Sequence, residues 1–152
     1  MLKFSDELAD EQVVAGTWEN LFIIDLRGLL TLAHLHRMAA VQRRLEERAE
    51  RWVSVTFARQ TAQLPDATTR QTSSELLKRV QRAAAVITVI EGSGIKSLAL
   101  RTMVRTLNTL ARSQQKIAAS LDEALTLVAP HVTAPRAELR AGIVELRARL
   151  GG

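Results

Sequence analysis

The sequence predicts an α/β fold: a mixed, mainly parallel sheet of four to five strands built from βα repeats, opened by a β-hairpin and followed by one extra helix. Three observations carry this. Short runs rich in β-branched and aromatic residues alternate with longer segments whose apolar residues recur at helical spacing. Glycine, proline or a capping residue marks most of the switches between them. The chain has 152 residues, 47% of them hydrophobic and 24% charged, a size and balance that support one buried core. One domain is therefore expected over residues 1–130, with a helical appendage over 131–152.

Gln12 to Trp18 and Asn20 to Arg27 read as two short strands, the second carrying Leu21-Phe22-Ile23-Ile24-Asp25-Leu26, with the turn at Gly16 or at Glu19-Asn20. After Gly28 the period changes. Leu35, Met38, Val41 or Gln42, Leu45 and Ala49 recur at helical spacing, and Thr31 is placed to cap the helix. Arg51 to Ala58 is too short for an ordinary helix and contains Trp52, Val53, Val55 and Phe57, so it reads as the third strand. Beyond Pro65, Asp66 caps a second helix with a buried stripe of Ser73, Leu76, Leu77, Val80 and Ala84. Ala85 to Ile90 is a near-continuous apolar run, the pattern of a central parallel strand.

A third helix runs from Gly94 to Arg112 on the stripe Leu100, Met103, Val104, Leu107, Leu110 and Ala111. Gln115 to Ala119 reads as a final edge strand. Ser120-Leu121-Asp122-Glu123 then matches a capping box for a fourth helix that stops before Pro130. Leu139, Ile143, Leu146 and Leu150 form a stripe on the last helix, with Pro135 in its first turn. That stripe packs on its own domain or on a second copy of the chain, and spacing alone leaves both open.

Composition narrows the function classes. With no cysteine there is no disulfide framework, thiolate metal site or thiol nucleophile, and a reducing compartment fits. The opening segment Met1 to Asp10 carries Asp6, Glu7 and Asp10 without a signal-peptide core, and no apolar run reaches membrane-spanning length, so the expected address is the cytoplasm. The formal charge of +5 comes from 21 basic and 16 acidic residues, a modest excess compatible with an acidic partner or peripheral contact with an anionic membrane. Aromatic residues make up 3%, with no tyrosine, which argues against the stacking platforms of single-strand nucleic-acid binders. His34 and His36 stand two apart and diverge on a helix, and His131 sits between the last two helices. No metal, no cofactor and no catalytic nucleophile arrangement is expected, since no Gly-x-Ser-x-Gly elbow occurs.

The best binding candidate is Gly92-Ser93-Gly94-Ile95-Lys96-Ser97, between a strand and a helix, where Ser93, Gly94, Lys96 and Ser97 could hold an anion. It is not a P-loop, because Ile95 separates Gly94 from Lys96. A tight strand-to-helix turn with a capping serine accounts for the same residues, and this simpler reading carries more weight. Arg101, Arg105, Asn108 and Arg112 follow along one stripe of the third helix and, with Lys96, make a basic ridge; solvated surface charge is the commoner origin of such a ridge.

From about Val13 to Ala129 the order and spacing resemble a STAS domain, the fold of bacterial anti-sigma-factor antagonists, to which Sec14-like lipid-binding domains are structurally related. The residues that carry the resemblance are the opening hairpin, Leu21 to Gly28 leading through Thr31 into a long helix, Trp52 to Phe57, and Val86 to Gly92 followed by Ser93 to Ser97. Ser120 to Ala124 at the head of the last family helix completes it. The resemblance implies a non-enzymatic module that binds another protein through the sheet edge and the starts of the second and third helices. It also implies an Asp-Ser-Ser/Thr-Gly segment whose serine is phosphorylated by a partner kinase. Here that stretch reads Gln63-Leu64-Pro65-Asp66-Ala67-Thr68-Thr69, which lacks the motif and offers only the hydroxyls of Thr68 and Thr69.

The leading expectation is therefore a regulatory protein-binding module with Lys96, Arg101 and Arg105 on its surface. Its alternatives are a Sec14-like binder of an anionic lipid or small apolar ligand, which requires an internal cavity, and a structural homo-oligomer assembled through the last helix.

Overall fold

The computed structural model describes residues 2–79, 83–111 and 115–149. Val80, Arg112, Leu150 and the side chain of Leu110 lie outside what is described. The sheet has six strands rather than four to five, because one strand precedes the expected hairpin. This strand, β1 (Ser5–Ala9), pairs antiparallel with β2 (Val13–Trp18), and β2 pairs antiparallel with β3 (Leu21–Leu26). β1 is an edge strand in which only Leu8 is buried, so it offers no apolar alternation to read, and its register slips between Asp6 and Leu8. The turn into β3 is Glu19-Asn20, with Glu19 in the left-handed region at φ 50°. Gly16 lies inside β2, where an added Cβ would stand 2.9 Å from the Ser5 carbonyl oxygen, so glycine permits the close approach of β1.

After β3 the chain alternates strictly: α1 (Leu32–Arg48), β4 (Trp52–Ala58), α2 (Ala67–Arg79), β5 (Ala83–Ile90), α3 (Ile95–Ala111) and β6 (Lys116–Ala118). β3 to β6 are parallel neighbours in the order of the sequence. Thr31 caps α1, its hydroxyl accepting the His34 N–H at 3.4 Å. Asp66 opens α2, its carboxylate accepting the Thr69 N–H at 2.8 Å. Ala84 belongs to β5 and not to the stripe of the second helix, since small residues of low strand propensity hide where that strand starts.

Because side chains alternate across a strand, the sheet has two unlike faces. Phe22, Ile24, Leu26, Trp52, Ala58 and Ile90 pack under Val41 and Leu45 of α1 and Leu100 and Val104 of α3. Leu21, Ile23, Val53, Val55, Phe57, Ile87 and Val89 pack against the opposite layer. That layer holds α4 (Leu121–Val128), a short 3-10 turn over Ala129–His131, and α5 (Arg136–Arg147). Crossover helices on one face are the usual result of parallel βα units of a single hand. Ser120 caps α4 by accepting the Glu123 N–H at 3.1 Å, while the Glu123 carboxylate accepts the Ala119 N–H at 3.0 Å.

Leu139, Ile143 and Leu146 are fully buried in the core shared with Leu2, Phe4 and Val14. The stripe of the last helix is thus packed on its own sheet, which removes these three side chains from the role of an oligomer surface. The boundary expected at residue 130 does not separate two cores.

Candidate functional site

α2 supplies the least burial of the three crossover helices. Of its residues only Thr69 and Ser74 are buried, and Leu76 and Leu77 are half-buried because they face space rather than protein. Under α1, α2 and α3 lies a partly open cavity of about 170 Å³. Its roof is mostly apolar, with Leu35 and Met38 from α1, Leu76 and Leu77 from α2, and Leu100, Met103, Val104 and Leu107 from α3, beside the polar Gln42 of α1 and Ser73 of α2.

The floor is mixed. Ser54 and Thr56 sit two apart on β4 and so share its inner face, and register places Thr88 of β5 beside Thr56. The Thr88 hydroxyl accepts a hydrogen bond from the Gln115 amide. Ser54 is only 4% exposed, and neither its hydroxyl nor that of Thr56 has a partner among the described residues. Among the described residues, no Asp, Glu, Lys, Arg or His lines the cavity. Met103 and Leu107 also line a surface groove between α2 and α3, and Gln42 and Leu76 line one between α1 and α2, so α2 stands between two approaches.

The turn from β5 into α3 is built on two left-handed glycines, Gly92 at φ 83° and Gly94 at φ 106°. Ser97 is buried and donates to the Glu91 carbonyl at 3.2 Å. Arg101 folds back onto the carbonyls of Ile90 and Gly92 at 3.4 and 3.5 Å. These two candidates brace the turn from inside, whereas Ser93, Gly94, Lys96 and Arg105 are exposed. Asn108 donates to the Gln115 carbonyl at 3.0 Å, so the expected ridge is broken at two of its members. Beside Lys96 stand two apolar side chains in water, Ile95 at 89% and Leu98 at 59% exposure. They occupy the helix face opposite the Leu100 and Val104 stripe, and that off-stripe position was the sequence signal for them. At the head of α2, Thr68 is exposed and Thr69 is buried. Asp66 is held below the usual carboxylate range, chiefly by the Thr69 backbone N–H.

Two polar clusters were not foreseen. Asp25, fully buried near the end of β3, meets three guanidinium groups: Arg27 at 3.0 Å, Arg59 at 2.8 Å and Arg147 at 3.2 Å. Arg147 also pairs with Glu91 and lies 4.2 Å over the Phe57 ring. Its carbonyl, at the C-terminus of α5, accepts from Arg27 at 2.8 Å and Arg59 at 2.6 Å. The hydrogen bonds to Asp25 raise the pKa of Arg59 further. The signal was Asp25 itself, an acidic side chain in an otherwise apolar strand, which needs buried cations to sit there.

In the second cluster, the His34 Nε2 stands 2.7 Å from the Asp10 carboxylate and Nδ1 stands 3.0 Å from the Thr31 hydroxyl. The series resembles a hydroxyl, imidazole and carboxylate relay. Its Nδ1, however, accepts the Thr31 backbone N–H at 3.0 Å, so the imidazole completes the α1 cap. Burial disfavours the charged form of Asp10, but the Val13 and Gln12 N–H groups and His34 outweigh it and lower its pKa.

Among the described residues no helix is long and apolar enough to cross a membrane. No protein-family model, curated protein or solved structure matches the chain.

Proposed function

We propose that the protein is a non-catalytic regulatory module of the STAS-like kind that docks a partner protein through the start of α3. The observation that carries this reading is the pair Ile95 and Leu98, both in water beside the β5–α3 turn. Covering an apolar side chain of this size contributes about 1.5–3 kcal/mol, so a partner gains from both at once. The glycine turn and the Arg101 and Ser97 braces hold the helix start in place, which lowers the ordering cost of docking. Exposed Lys96 and Arg105 flank the pair and favour an acidic partner rim. The βα order and the Ser120-capped last helix support the STAS-like reading, and Thr68 is the accessible hydroxyl at the head of α2 for a kinase.

The test is recovery of the tagged protein from its own cells, at low and then high salt, beside the double variant Ile95→Glu, Leu98→Glu. A partner protein that survives high salt with the parent chain and is lost from the equally stable variant is expected. Equal recovery by both chains would remove the start of α3 as the docking surface.

A second reading, a Sec14-like carrier or sensor of an internal ligand, is favoured by the cavity. An anionic lipid matches it poorly, because among the described residues no cationic side chain lines the space. Its volume of about 170 Å³ also falls below the roughly 300–1,000 Å³ of sites for drug-sized ligands. A small apolar ligand matches better.

A further inference from the structure

We infer that the cavity beneath α1, α2 and α3 is a binding site for a small uncharged molecule with an apolar body and one hydrogen-bonding end directed at Ser54 and Thr56. The inference rests on the second reading above and names the ligand class for it.

Size sets the first limit. A cavity of about 150 Å³ lined by aliphatic and aromatic side chains holds benzene, so about 170 Å³ holds a single ring or a branched chain of similar bulk. Charge sets the second. Moving an ion into a lining without a counter-charge is strongly unfavourable, and among the described residues this lining has none. Polarity sets the third. Ser54 is more than nine-tenths buried with its hydroxyl unpartnered, and the Thr56 hydroxyl beside it is also free among the described residues. Thr56 is half-buried beside the buried Ser54, and the two hydroxyls form one polar end of the space, where a ligand's polar atom can sit. Both can donate and accept, which admits an alcohol, ketone or amide. Met38 and Met103 in the roof adapt to the shape of the apolar part.

The test uses three probes that share one ring: toluene, benzyl alcohol and benzoate. In NMR titrations of the full chain, toluene and benzyl alcohol are expected to shift the methyl signals of Leu77, Leu100 and Val104 saturably, and benzoate to leave them in place. The double variant Ser54→Ala, Thr56→Val removes the hydroxyls at nearly constant shape and is expected to melt no lower than the parent. In it benzyl alcohol should bind roughly five-fold more weakly, the size of one lost hydrogen bond, while toluene is unaffected. An unchanged ratio of alcohol to toluene affinity would overturn the hydroxyls as the recognition element. Binding of benzoate as tight as that of the alcohol would overturn the uncharged ligand class and leave the internal-ligand reading standing. Saturable binding of none of the three would overturn both, leaving a space that holds water only.

Discussion

Asp25 concentrates the electrostatics of this protein in one carboxylate. It is fully buried and satisfied by Arg27, Arg59 and Arg147, two of which also donate to the C-terminal carbonyl of α5. Truncating the acid leaves the guanidinium groups crowded without their shared partner, and breaking a buried pair from one side costs about 3–5 kcal/mol. Asp25→Ala is therefore expected to lower the urea unfolding free energy by about that much. Arg59, a third exposed, leaves two cations in place when it is replaced by Met, and its loss should cost about 1 kcal/mol. Near-equal losses for the two variants would show that the cluster does not act through Asp25. The acid was visible in Leu-Phe-Ile-Ile-Asp-Leu, with Arg27 two residues on, but only the parallel register and the placement of α5 bring Arg59 and Arg147 to it. The same holds for His34, which pairs with Asp10 across the edge of the sheet.

At the scale of elements, α5 decides whether the last part of the chain is an accessory or a wall. Its three fully buried side chains together contribute on the order of 5–9 kcal/mol, comparable to the whole stability of a domain this size. They cover Leu2, Phe4 and the β2 face around Gly16, where the Leu146 side chain approaches closely. A chain ending at Pro130 is expected to lose cooperative unfolding and to bind a hydrophobic dye. A soluble monomer with a sharp urea transition would show that the helix is dispensable. Most elements were legible because their capping residues and periods are strong: Thr31, Asp66 and Ser120 each accept the backbone N–H that a cap requires. β1 was not legible, since an exposed edge strand lacks the apolar alternation that betrays an inner one. The stripe of α5 was legible as apolar but not as to its partner, because periodicity states that a face is buried and not against what.

At the scale of the whole molecule, the two helical layers are unequal. α4 and α5 close on the sheet with fully buried side chains, whereas α2 spans a cavity and buries only Thr69 and Ser74 of its own residues. The cavity could not be read from the sequence, since Leu76 and Leu77 have the spacing of core residues whether or not anything fills the space beneath them. The difference in packing predicts a difference in local stability. Opening α2 exposes little surface that is not already half exposed, while β4 lies between neighbours on both edges and layers on both faces. In native-state hydrogen exchange, the amides of α2 are expected to exchange through openings at least about 2 kcal/mol smaller than those of β4, which should exchange only by global unfolding. Equal protection of the two would mean that α2 is locked to the sheet. A graded result, with α2 open and β4 closed, gives a ligand its way in past Leu76 or Met103. Saturation with a cavity ligand should then raise the protection of α2 more than that of α4, because only the former gains contacts from the filled space.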